Sequence, residues 1–287
     1  MRVRTRDVRL FFDVEGTELR LRVASVDSAP TIVIVHDGPG GDHTTFKHRS
    51  FGPRLAETAQ VVYLDLRGHG RSDRSDTETW NLDTWADDLA GFCDVLGLEA
   101  PVVFGSGFGA LVATRYGGRH AEQPGRLILS RPVARLDAEQ SVAAFERLAG
   151  PEGGAAARAF YAAPSSDTYT QFMLVMMSMF RNTQVNEVQD ALFRAQWNVE
   201  LALHWYAREA FEFDLGPDAE RIRVPTLVLA GDDDPLMPVE GAVALSERID
   251  PQLVRFVRFP GARHSLYADD AGAMKETLAF LGAEAGP

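Results

Sequence analysis

The sequence predicts an α/β fold built on a mostly parallel sheet and interrupted once by an all-helical insertion. Three observations lead there. Short β-branched runs such as TIVIV, at Thr31 to Val35, alternate with segments of helical periodicity. The runs are apolar at consecutive positions, as strands covered on both faces must be, and parallel sheets are covered that way. From about Arg131 to Ile222 the alternation stops and only helical patterns remain, then it resumes. One core carrying a lid explains this better than two independent domains. The boundaries are 1–130 and 223–287 for the core and 131–222 for the helical cap.

Taken in order, Arg9 to Val14 and Leu19 to Val23 read as strands joined by the turn Glu15-Gly16-Thr17, a hairpin. The buried strand at Thr31 to Val35 runs into the glycine-rich loop HDGPGGDH. A helix near Phe51 to Thr58 leads to the strand VVYLD at Val61 to Asp65 and the polar turn RGHGRSDRS. Leu82 to Leu96 has helical spacing, with Asn81 or Asp83 as its cap. The strand Val102 to Phe104, a helix at Ala110 to Tyr116 and the strand Arg126 to Ser130 complete the first core segment. The insertion carries SVAAFERLAG, AAARAFYAA, YTQFMLVMMSMF, EVQDALFRAQW and ELALHWYAREAF as helices. The strand at Pro225 to Gly231, a helix near Val239 to Ile249, the strand Leu253 to Phe259 and a helix near Ala271 to Leu281 close the chain.

The bulk numbers narrow the function. The 287 residues are 45% hydrophobic and 24% charged, enough for a substantial core. A net charge of −12 argues against nucleic acid and anionic membrane as partners, because both need basic patches. No apolar run reaches the length of a membrane span, and the N-terminus lacks the apolar core of a signal peptide, so a cytoplasmic protein is expected. Cys93 is the only cysteine and falls in an apolar-periodic segment, which makes it a core residue. No metal site or cofactor is expected. An EF-hand-like reading of GDDDPLMP fails on ligand spacing.

Chemistry is expected on the loops after the C-terminal ends of the strands. Four stand out. His36 to Gly41 is rich in glycine, so its backbone N–H groups can approach an anion. Gly105 to Gly109 sits at a strand-to-helix turn and has the outer glycines of G-x-S-x-G, but the central residue is Gly107 and the only serine, Ser106, stands one place early. Gly231 to Pro238 puts Asp234 after a strand, where an acid can orient a histidine. Pro260 to Tyr267 puts His264 after the next strand. The chain order of elbow, acid and histidine is more specific than any one of them.

With these residues the chain resembles the α/β-hydrolases, and most of all their proline iminopeptidase-like branch. HDGPGG resembles that branch's HGGPG motif and YLDLRGHGRSDRS its D-x-R-G-x-G-x-S turn. LAGDDDPLMP and GARHS resemble the acid and histidine loops. The resemblance implies an eight-stranded, mostly parallel sheet with a helical cap inserted after the sixth strand. It implies Asp234 as the acid, His264 as the base, and the N–H groups of Gly38 and Phe108 as the oxyanion hole. Gly107 stands where the nucleophilic serine belongs, and Asp37 departs from the family's glycine. Gly107 is read as a Ser→Gly change in a GSSFGA elbow, which leaves a substrate-trapping or inactive form.

The expected substrate is a small acyl compound: an ester, lactone or amide of a hydrophobic molecule, or an aminoacyl compound. Iminopeptidases hold a substrate ammonium group with lid acids, here Glu187, Glu200, Glu209 or Glu212, none of which matches the family's lid pattern. Met173, Met176, Met177, Trp197 and Trp205 are the candidate pocket residues, with Met179, Phe172, Phe180 and Tyr206 around them. Two alternatives stay open. One is a serine-independent enzyme of the same fold, a lyase or a general-base catalyst working through His264. The other is a binding protein without turnover.

Overall fold

Eight strands form one sheet because five of the runs are apolar on both faces. The computed structural model describes residues 1–21, 26–48, 50–179 and 185–282; of residues 20, 21, 26, 27 and 185–189 it describes the backbone. The strands are β1 (Arg2–Thr5), β2 (Val8–Glu15), β3 (Leu19–Leu21), β4 (Val26–Ser28), β5 (Thr31–Val35), β6 (Gln60–Leu64), β7 (Val102–Ser106), β8 (Arg126–Ser130), β9 (Thr226–Gly231) and β10 (Val254–Phe259). The main sheet runs β1-β2-β6-β5-β7-β8-β9-β10, antiparallel at β1–β2 and β2–β6 and parallel from there on. Its sixth strand in chain order is β8, and the helices between β8 and β9 follow it.

The predicted hairpin is not what forms. β2 pairs with β1 and β6, while β3 pairs with β4 in a separate two-stranded sheet. The turn at Glu15 to Thr17 is real, but β2 is drawn to the long buried edge of β6 rather than to its short neighbour. The end of the expected second strand, at residues 22 and 23, lies outside the described residues.

The alternation of side chains explains the apolar runs. Val33, Val35, Val62, Leu64, Val103, Leu127 and Leu129 enter one core layer, with α2 (Leu82–Val95) and α3 (Phe108–Arg119). Ile32, Ile34, Val61, Tyr63, Phe104 and Ile128 enter the other, with α1 (Gly52–Ala56), α10 (Leu266–Asp269) and α11 (Ala271–Phe280). Helices on both faces require both sets to be apolar. The sequence YLDLRGHG adds a buried ion pair beneath the layers: Arg67 donates to Asp88 at 2.7 and 2.8 Å, and to the exposed Asp7.

Between β8 and β9 the described chain is helical: α4 (Ala138–Ala162), α5 (Ser166–Met179), α6 (Val185–Arg194), α7 (Val199–Arg208) and α8 (Gly216–Ala219). The two expected helices SVAAFERLAG and AAARAFYAA are one element, broken at Gly150 and Pro151. Val142, Phe145, Phe160, Tyr161 and Phe172 make a small core of their own, and Met173, Met176 and Met179 pack against it. The last helix between β9 and β10 is α9 (Val239–Ser246).

Asp88→Ala removes the buried partner of a buried guanidinium. Urea unfolding of this variant is expected to show a loss of roughly 3–5 kcal/mol. Asp7→Ala, at a side chain 70% exposed, is expected to cost less than about 1 kcal/mol.

Candidate active site

Five parallel strands end on one edge, and each delivers a residue to the same place. Registers Val35↔Gly105, Ser106↔Ser130 and Phe259↔Gly231 align their C-terminal ends. From these ends the chain places Asp37 after β5, Gly107 after β7, Arg131 after β8, Asp234 after β9 and His264 after β10.

The turn at Gly107 has the strained shape that the elbow motif demands. Gly107 has φ 52° and ψ −115° and caps the start of α3. Gly109 is required for close approach: a Cβ there would lie 2.8 Å from the carbonyl carbon of Val35, and closer to its oxygen. Ser106 is fully buried, and its hydroxyl accepts a hydrogen bond from Arg131, so it is not at the apex.

His264 and Asp234 meet as expected. Nδ1 of His264 lies 2.8 Å from Oδ2 and 3.0 Å from Oδ1 of Asp234, whose Oδ1 also accepts the Leu236 and Met237 N–H groups. The carboxylate therefore fixes the ring with its Nδ1–H toward Asp234 and Nε2 toward the site.

What Nε2 faces is Asp37, which sequence reasoning noted only as a departure. Oδ2 of Asp37 lies 3.3 Å from Nε2 of His264 and 2.7 Å from Nη2 of Arg131. Its Oδ1 accepts hydrogen bonds from the N–H of Gly38 at 2.9 Å and of Phe108 at 3.3 Å. These are the two donors expected to form the oxyanion hole, and a protein carboxylate fills them. That carboxylate also takes the room beside Gly107. A Cβ at position 107 would lie 2.9 Å from Cγ of Asp37, and closer to Oδ1. Arg131 ties the arrangement together, donating also to the carbonyl of His264. Its backbone is left-handed, φ 56°, a strained conformation for arginine.

The loop carrying Asp37 is held from below. Nδ1 of His36 donates to the carbonyl of Asp37 at 2.7 Å, and its Nε2 accepts the N–H of Leu66 at 3.2 Å. That pattern requires a neutral ring, and burial lowers the pKa of His36 accordingly.

Charge follows geometry. Burial works to raise the pKa of Asp37, but Arg131 and His264 outweigh it and hold the carboxyl well below the usual range. Burial and Arg131 oppose the His264 imidazolium, but Asp234 and Asp37 outweigh them and raise its pKa.

These groups open into one cavity walled mainly by apolar side chains, among them Phe46, Phe172, Met173, Met176, Trp197 and Tyr206. Met173, Met176 and Trp197 were expected there. Met177 and Trp205 were too, but neither lines the cavity. Trp205 is buried in the core against Trp85, Phe108 and Phe213, because α7 turns that face inward. Met177 lies one residue beyond Met176 and one turn beyond Met173, at the border of the face that lines the cavity rather than in its lining. Of the lid acids, Glu200, Glu209 and Glu212 do not line the cavity. Glu209 instead accepts the N–H of Leu82, and burial pushes its pKa up to about 7. The side chain of Glu187 lies outside the described residues, as does Phe180. Arg131 was missed outright. Its signal was a basic residue directly after a buried strand, at the edge where functional loops collect.

The family model for serine aminopeptidases (Serine aminopeptidase, S33) matches residues 27–271. The chain belongs to this family of α/β-hydrolases. Within the family's reach, it is 25% identical over 268 residues to the proline iminopeptidase PfmaB of Pestalotiopsis fici, covering 90% of this chain and 94% of that one. Among solved structures, the proline iminopeptidase of Mycobacterium smegmatis superposes with a TM-score of 0.73 at 19% identity, covering 98% of this chain and 97% of that one. The enol-lactonase of Burkholderia xenovorans LB400 superposes with a TM-score of 0.67 at 22% identity, covering 98% of this chain and all of the other. Both likenesses are of the overall fold. No helix among the described residues is long and apolar enough to cross a membrane.

Because two carboxylates flank the His264 ring, its titration by NMR is expected above the ordinary value of 6.5. Asp37→Asn removes one of them and is expected to bring the midpoint down. The ion pair of His264 with Asp37 therefore stabilises the fold most below pH 6.5, where both states of the histidine are protonated. That contribution is lost as pH rises through the higher folded value, and on the acid side as Asp37 becomes protonated.

Proposed function

We propose that this protein is a small-molecule hydrolase in which the His264–Asp234 pair activates water and no serine at position 107 takes part. The observation that carries the reading is the contact of Nε2 of His264 with an ionised carboxylate in the place where a side chain of residue 107 would lie. A base held by a buried acid in a cavity of apolar walls is equipped for proton transfer. Its neighbour Gly107 contributes room rather than a nucleophile.

The activities printed for relatives, an iminopeptidase and an enol-lactonase, favour a second reading: hydrolysis of an ester, lactone or amide bond in a hydrophobic small molecule, with the serine lost by a Ser→Gly change. That reading predicts recovery from Gly107→Ser alone. The site speaks for the first reading, because a serine there meets the Asp37 carboxylate and the carbonyl oxygen of an acyl substrate finds the oxyanion donors occupied. An aminoacyl substrate is disfavoured further. Of the four lid acids expected to hold its ammonium group, the three whose side chains are described stand away from the cavity.

Two measurements decide. His264→Ala is expected to lower kcat/KM by roughly 10²–10⁴, the weight of a positioned general base. On aryl esters, lactones and aminoacyl anilides, Gly107→Ser alone is expected to give little gain, and the pair Asp37→Gly with Gly107→Ser a large one, because only the pair clears the oxyanion donors. A full gain from Gly107→Ser alone would establish the second reading.

A further inference from the structure

The carboxylate of Asp37 is arranged as half of an acyl group in the act of being hydrolysed. One oxygen, Oδ1, sits between two backbone N–H donors, where the carbonyl oxygen of a scissile acyl group belongs. The other, Oδ2, turns toward His264 and the cavity. The acyl group that occupies this position is the carboxyl of Asp37 itself. A carboxylate adds poorly to another carbonyl, since the product is a reactive anhydride. It attacks a saturated carbon that carries a good or strained leaving group, and the product is a stable ester.

We propose that Asp37 is a nucleophile that opens an epoxide on an apolar substrate, forming an alkyl ester through Oδ2 that water then cleaves at Cγ. The proposal rests on His264–Asp234 as the water-activating pair and names the substrate that pair serves. In the first step the Oδ2–carbon bond forms and the carbon–oxygen bond of the ring breaks, its electron pair going to the ring oxygen. That oxygen takes a proton from the phenol of Tyr206, which lines the same cavity. Burial chiefly, with the nearby charge of Asp37, keeps that phenol protonated and able to donate. The His264 imidazolium returns a proton to the phenolate and is left neutral. In the second step water gives a proton to Nε2 of His264 and adds to Cγ, and the charge that develops on Oδ1 falls on the N–H groups of Gly38 and Phe108. Collapse breaks the Cγ–Oδ2 bond, and the alcohol leaves with the proton from His264. Asp37 then loses its new proton to His264, which restores the starting state. The sum is epoxide plus water to diol.

Arg131 fits this cycle as a positioning residue. It pins Oδ2 at rest, and when esterification removes the charge on Oδ2 its guanidinium keeps the hydroxyl of Ser106 and the carbonyl of His264 as partners.

The test uses two probes, styrene oxide and cyclohexene oxide. In His264→Gln the first step is expected to run and the second to stall, so the protein should gain the mass of one probe, located on the peptide that contains Asp37. In the wild-type protein, a single turnover in water labelled with heavy oxygen is expected to place the label in the carboxyl group of Asp37 rather than in the diol. This second measurement needs no variant and so does not depend on how a substituted chain folds. Absence of both the adduct and the label, for both probes, overturns the proposal. If turnover of esters or lactones then still depends on His264, the proposal alone fails. If no turnover on any substrate depends on His264, the hydrolase reading fails with it.

Discussion

The contact on which the site depends is the four-way engagement of the Asp37 carboxylate. Two backbone N–H groups, one guanidinium and one imidazole converge on its two oxygens. Two acids, Asp37 and Asp234, and two basic side chains, Arg131 and His264, then face one another within a largely buried volume. Removal of any one leaves a charge without its counterpart in a medium that solvates it poorly. The glycine at 107, the left-handed backbone of Arg131 and the neutral His36 beneath the loop all make sense as conditions for that engagement.

The sheet provides the rigidity. Strands β5, β7, β8 and β9 are buried on both faces between two helical layers, and β10 is hydrogen-bonded along its length to β9, so their C-terminal ends have little freedom. Each end carries one member of the cluster. The side chains are thus fixed by backbone hydrogen bonding several residues away, which is how loops of irregular shape reach precise separations. The cap closes over this edge from α5 and α7, whose Phe172, Met173, Met176 and Tyr206 roof the cavity while their other faces pack among themselves.

Much of this was legible in the sequence, for physical reasons. A strand covered on both sides must be apolar at every position, so the parallel core announces itself, and the acid and histidine loops follow from chain order. The hairpin at Arg9 to Val23 failed because local alternation does not say which edge a strand will join, and β2 joined β6. The pocket residues were half legible. A methionine stripe marks a helix that is apolar on most sides, but only its phase against the sheet decides that Met173 and Met176 face the cavity and Met177 does not. Arg131 was missed because its only signal, a basic residue directly after a buried strand, ordinarily marks a solvated side chain. Its burial, with 6% of the side chain exposed, is a product of tertiary structure alone.

Asp37 and Gly107 are best understood as one feature. Measured against the family's HGGPG and G-x-S-x-G motifs, the chain has a carboxylate where a glycine is usual and a glycine where a serine is usual. Taken separately, the first blocks the oxyanion donors and the second deletes the nucleophile, and each is damage. Taken together they are complementary: the volume that a side chain at 107 would need is filled by the carboxylate at 37, and the N–H groups of Gly38 and Phe108 hold a protein oxygen. A simple deletion of the nucleophile gives no reason for Arg131 to be buried in a strained conformation against that carboxylate, nor for His264 to keep its acid. A relocated reacting group gives a reason for each. The guanidinium holds the carboxylate ionised and aimed, and the imidazole with its acid still has a proton to move.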